Sequence, residues 1–171
     1  MIMNRVTIFT IIATGLLCLP QTVQARDIGE VSTTFRLLGA ANDKIKIEGF
    51  EDPKIEGITC YVSRAVTGGI SGAIGLAEDT SDASITCLQT GPIKFKEAIR
   101  VREKGEEVFN ERRSILFKSL QVTRFYDKET GTLVYLTWSD KLIEGSPKNS
   151  VSSVTLRPWG AEPPGQPLLK E

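Results

Sequence analysis

Glu78, Asp79 and Asp82 place three carboxylates in one short stretch, with Thr80 and Ser81 between them. Such a set of oxygen donors suits a hard cation. Calcium takes about six to eight oxygens, and the spaced ligands of an EF-hand loop are absent. A solvated turn, with Asp82 as a cap, accounts for the same residues, so no metal and no cofactor is assigned. Just before the acids runs an apolar segment carrying Gly68, Gly69, Gly72 and Gly75. Glycines let a backbone turn tightly or approach a ligand closely. Neither phosphate-cradling pattern, G-x-x-x-x-G-K-[ST] or G-x-G-x-x-G, occurs. The segment therefore reads as packing held by the flanking cysteines, or as an apolar contact surface for a partner. These four glycines and three acids form the candidate binding surface, with the polar loop 140–149 as a second candidate.

Catalytic options are narrow. The chain has no histidine, which removes the commonest general base, the usual zinc ligand and the serine triad. The S-x-x-K spacing of penicillin-recognising serine enzymes is missing as well. No catalytic residue is assigned. A hydrolase built on carboxylates alone, for instance Glu78 or Asp79 with Glu144, is the enzymatic alternative.

The first 25 residues supply an address. Arg5 is followed by an apolar run from Val6 to Leu19, and Val23-Gln24-Ala25 ends the segment on small residues. That is the layout of a cleavable secretory signal, with cleavage expected after Ala25. The run is shorter than the roughly 20 residues a membrane span needs. Cys18 lies inside it behind the bulky Leu17, which argues against a lipoprotein site. Cys60 and Cys87 then remain as an even pair in an exported chain, and a disulfide is expected between them. Their wide spacing is unlike C-x-x-C, so redox sensing is the lesser reading of the pair.

What remains after cleavage is the size of one domain. Lysine plus arginine equals aspartate plus glutamate at 21 each, and no basic cluster stands out. Such a chain lacks the footprint of a nucleic-acid binder.

The pattern along the mature chain is mostly that of strands. Residues 28–38 are rich in β-branched and aromatic types, and Lys44 to Glu48 alternates, with Ile45 and Ile47 on one face and charges on the other. Asp52-Pro53 marks a turn. Strands over 58–63 and 83–89 each carry one cysteine. A helix is predicted from Pro92, with Phe95, Ala98 and Ile99 as its stripe and Gly105 as its stop. Residues 119–126 and 133–139 form a hairpin around 127–131, with Gly131 where a positive φ is needed. On it Leu120, Val122 and Arg124 share one face, and Leu133, Tyr135 and Thr137 share another. A last strand fits 151–156, and the Pro/Gly-rich stretch from Pro158 reads as extended or disordered. The expected fold is mostly β, or α+β. It is a single antiparallel-sheet domain over 26–159, with one or two short helices, one disulfide and a disordered tail over 160–171.

Four strings look familiar: ITCYVSRAVTGGISGAIGLAEDTSDASITC (58–87), FKSLQVTRFYD (117–127), YLTWSDKLIEGSPKNS (135–150) and RPW (157–159). They resemble the CreA family of bacterial periplasmic proteins, across about Ile28 to Trp159. The resemblance implies a Gram-negative bacterium, a periplasmic location and a link to carbon-source regulation. The family carries no assigned reaction, so no site residue transfers. The expectation is a soluble periplasmic protein that binds or scaffolds without catalysis. It would act in an envelope, stress or carbon-source response, on an unknown envelope protein or small ligand and not on nucleic acid.

Overall fold

The computed structural model describes residues 25–33, 43–66, 83–101, 103–112, 119–139 and 148–171. Its strands are β1 (Arg26–Ser32), β2 (Lys44–Glu51), β3 (Ile55–Val66), β4 (Ala83–Phe95), β5 (Ile99–Arg100), β6 (Glu106–Arg112), β7 (Ser119–Asp127), β8 (Thr132–Ser139), β9 (Asn149–Thr155) and β10 (Leu169–Lys170). Two antiparallel four-stranded sheets, β1-β2-β3-β4 and β6-β7-β8-β9, make up the body, and β5 and β10 form a small parallel pair. No described residue is helical.

The sheets meet along β4 and β9, which run in the same direction. No backbone ladder joins them there. Instead Ser152 Oγ accepts from the Cys87 N–H at 2.8 Å, and Ser150 Oγ accepts from the Ile85 N–H at 3.4 Å. On the other flank Phe50 of β2 stacks on Phe109 of β6, with ring centroids 4.6 Å apart and planes 11° from parallel. Between these seams lies the core, including Ile58, Cys60, Val62, Cys87, Leu120, Val122, Leu133 and Tyr135.

Pairing register gives the molecule two unlike ends. The connections 33–43, 67–82, 113–118 and 140–148 all leave from one end, here the loop end. The turns 52–54 and 128–131, the stretch 96–105 and residues 156–171 lie at the other, the turn end.

The predicted helix from Pro92 is replaced by strand. β4 continues through Gly91 and Pro92 to Phe95, and β5 follows. The residues proposed as a helical stripe were few, and pairing along the long β3 decides instead. A bulge takes up the proline, which has no N–H to give a ladder. Ile58 pairs with Gln89, while Glu56 already pairs with Lys94. Gly57 makes this possible: its φ is +81°, and an added Cβ would sit 2.4 Å from the Pro92 carbonyl oxygen.

β2 alternates as expected, but the inward face is the charged one. Phe50 and Glu48 are buried, while Ile45 and Ile47 are 44% and 38% exposed. Register accounts for this: Phe50 lies opposite the core residue Cys60, so every second residue back from it points inward. The hairpin of β7 and β8 forms as predicted, with Gly131 at φ +64°. Residues 156–171 run extended along the turn end, and Ile99 and Val101 donate backbone N–H groups to Leu168 and Lys170 at 2.8 and 2.9 Å.

Candidate functional site

Two strand positions that alternation turns inward carry polar groups into the core of the turn end. Arg124 follows Leu120 and Val122 on the inner face of β7, and Tyr135 lies opposite it on β8. From the other sheet, the β2–β3 turn brings Asp52 against them. The Arg124 Nη1 donates to both Asp52 oxygens, at 2.5 and 2.6 Å, and the Tyr135 hydroxyl donates to Oδ2 at 2.8 Å. Lys54 and Ile55 N–H groups donate to Oδ1 at 2.9 and 3.1 Å. A fully enclosed carboxylate is thereby met on both oxygens.

Arg124 also reaches Glu106 of β6, its Nη2 donating to Oε2 at 2.6 Å. Glu106 accepts from Lys54 Nζ at 2.5 Å and from the Arg100 N–H at 3.2 Å. One guanidinium thus holds two carboxylates, and Lys54 ties the turn of one sheet to an edge strand of the other. Burial pushes the Glu106 carboxyl up, but the Lys54 hydrogen bond, the Arg100 N–H and the Arg124 and Lys54 charges outweigh it. The net result is a pKa below the ordinary 4.5. Burial, with the neighbouring Asp52 charge and hydrogen bond, pushes the Tyr135 phenol well above its ordinary value. These groups satisfy each other's charges across the two sheets, so the cluster works as a clasp between them.

A second charged cluster lies on the inner face towards the loop end. Arg64 Nε donates to Glu48 Oε2 at 3.0 Å, and Lys46 Nζ donates to Glu48 Oε1 at 2.9 Å. The Glu48 hydrogen bond raises the Lys46 pKa against the opposing effect of burial, and Asp27 adds to the rise. Nearby on the inner face of β8, Thr137 is 1% exposed. Its hydroxyl is the one buried side-chain polar atom among the described residues without a hydrogen-bond partner.

Cys60 and Cys87 face each other in register on β3 and β4 and form a disulfide, S–S 2.05 Å. The two residues are only 0% and 6% exposed, so a reductant reaches the bridge only if the core opens. Gly68, Gly69, Gly72, Gly75, Glu78, Asp79 and Asp82 lie outside the described residues, as do Glu144 and most of loop 140–149. The strand ends on either side of 67–82, Val66 and Ala83, are at the loop end. Among the described residues no group of three or more Asp, Glu or Cys is arranged to hold a metal. No helix among them is long and apolar enough to cross a membrane.

Sequence reasoning named neither Asp52 nor Glu106 as part of a site. It took Asp52 as a turn residue and gave Glu106, just past the predicted helix stop at Gly105, no role. A signal for the clasp was nevertheless present: an arginine on the face shared by Leu120 and Val122 requires a buried acid.

Comparison with known proteins covers nearly the whole of this region. The family model for "CreA protein" matches residues 28–159. The chain is 51% identical over 150 residues to Protein CreA of Escherichia coli (strain K12), which covers 87% of this chain and 95% of that protein. Protein CreA of Escherichia coli O157:H7 matches to the same extent. No solved structure matches. The chain belongs to the CreA family.

Proposed function

From that membership and from the two unlike ends of the domain, we propose a periplasmic protein that binds a partner at its loop end and catalyses no reaction. The observation that carries the reading is the division of labour between the two ends of the two-sheet body. At the turn end the buried charges neutralise one another across the two sheets. From the loop end leave four connections, among them 67–82, which holds Gly68, Gly69, Gly72, Gly75, Glu78, Asp79 and Asp82. Loops raised on a rigid scaffold are where binding groups concentrate. Export is supported by the signal-like residues 1–25 and by a first strand that opens at Arg26, next to the expected cleavage point. A disulfide suits an oxidising compartment. The role is in an envelope, stress or carbon-source response, and the partner is an envelope protein or a small ligand.

The test is in-cell crosslinking of the mature protein against a variant carrying Glu78→Ala, Asp79→Ala and Asp82→Ala. A specific adduct from the wild type that falls by about tenfold in the variant is the expected result, corresponding to roughly 1.4 kcal/mol of lost affinity. Equal adducts from both would remove 67–82 as the contact surface. Fractionation that leaves the protein in the cytoplasm would remove the location.

A further inference from the structure

The loop-end reading leaves the turn end unused, and there the family match and the structure part company. The match ends at Trp159, yet the chain continues and turns back over the domain. Trp159 and Glu162 exchange backbone hydrogen bonds at 2.8 and 3.1 Å, around Gly160 at φ +61°. The Gly165 N–H then donates to the Ile93 carbonyl at 2.8 Å. Next, Leu168 and Lys170 present their carbonyls to Ile99 and Val101, in parallel register with β5.

The hydrogen bonds that tie this returning strand to β4 and β5 are backbone ones, with a Lys94–Glu162 ion pair at 3.7 Å beside them. No residue from 157 to 171 is buried, and Leu168 and Leu169 are 47% and 42% exposed. What lies beneath is different: Ile93 and Ile99 are 2% and 0% exposed. The accepting edge thus belongs to the family-shared domain, whereas its occupant lies outside the matched region. A strand that contributes hydrogen bonds but little apolar burial opens locally at low free-energy cost. An edge with aligned N–H donors accepts any extended chain that presents carbonyls at every second residue.

We propose that the β4–β5 edge, from Ile93 to Val101, is a docking site for an extended peptide that adds in parallel to β5, and that residues 160–170 occupy it in cis as a displaceable strap. The fitting peptide has glycine where it passes Ile93, because a Cβ at Gly165 would lie 2.7 Å from the Ile93 carbonyl oxygen. Its carbonyls two residues apart then meet Ile99 and Val101. The Arg100 N–H, between the two that meet the strap, donates to Glu106 of the clasp.

Hydrogen exchange on the full chain tests this, with a synthetic peptide of residues 160–171 as the probe. Two variants release the strap in different ways. Gly165→Val clashes with the Ile93 carbonyl, while Gly160→Val strains the positive-φ turn and meets no neighbouring atom. In both, the Ile99 and Val101 amides should exchange roughly tenfold faster or more, while β3 and β7 amides keep their protection. Added peptide should restore protection at Ile99 and Val101, and a peptide carrying Gly165→Val should not. Unchanged exchange at Ile99 and Val101 in both variants would show that the strap does not cover the edge. Released amides that the peptide fails to protect would show that the edge does not accept a strand in trans. Either result overturns the proposal.

Discussion

The turn end and the loop end each place an arginine on an inward strand position, and they treat it differently. Arg124 is shared by two carboxylates on elements of both sheets, Asp52 and Glu106, within a cluster that Tyr135 and Lys54 complete. Arg64 and its partner Glu48 belong to neighbouring strands of one sheet, and Lys46 supplies Glu48 with a second cation. The first arrangement joins layers that otherwise meet through side-chain packing and the Ser150 and Ser152 hydrogen bonds to β4. The second reinforces a pairing that the β2–β3 ladder already makes. The same chemistry therefore carries different weight, according to whether the backbone has already brought its parts together.

Removing each guanidinium separates the two cases most sharply. Arg124→Met leaves Asp52 enclosed without its cation, and the expected loss in a urea titration is about 3–5 kcal/mol. Adding Asp52→Asn should recover part of that loss, because the uncompensated charge goes with it. Arg64→Met removes the charged hydrogen bond to Glu48 and leaves Glu48 with Lys46, and a smaller loss of about 1.5–3 kcal/mol is expected. Equal losses from the two methionine variants would break the distinction drawn between the ends.

Acid sharpens it further. The Glu106 pKa is held below 4.5, so folding favours its ionised form. Its contribution is fully present above the unfolded value and is lost as pH falls below about 4.5, through the folded pKa. Denaturation followed from pH 7 to pH 3 should therefore show stability falling in the acid range, with a shallower fall in Glu106→Gln. Parallel pH profiles for wild type and variant would mean that Glu106 does not carry the clasp's acid sensitivity.

Legibility in the sequence follows the same division. The β7–β8 hairpin was readable because its turn, its alternation and its partner are all local, and Asp127 to Gly131 specify them together. The cysteine pairing was readable from the expected export and the even count. The helix from Pro92 was misread because the partner that makes it a strand lies upstream in β3, where Ile55 pairs with Phe95 and Ile58 with Gln89 across a bulge that Gly57 permits. Alternation in β2 was plain, yet its inward face was set by Phe50 meeting Cys60, which no local pattern contains. The clasp was half visible: the hairpin put Arg124 and Tyr135 on inward-capable faces, but only the tertiary fold brings Asp52 from a turn and Glu106 from β6 to meet them.

The smallest effect concerns a single oxygen. Thr137 shares the inner face of β8 with Leu133 and Tyr135, lies opposite Val122, and buries a hydroxyl that meets no partner among the described residues. Tyr135, two residues earlier, buries a hydroxyl that does meet one, in Asp52. The pair thus contrasts a satisfied and an unsatisfied polar atom on one strand, the first in the clasp and the second towards the loop end. Thr137→Val replaces that hydroxyl with a methyl of nearly the same shape and should raise stability by up to about 1 kcal/mol. Tyr135→Phe removes a donor from a buried carboxylate and should lower it by about 1–3 kcal/mol. Paired urea titrations read both signs. A loss of stability in Thr137→Val would mean that its hydroxyl is bonded in solution, and the contrast with Tyr135 would then fail.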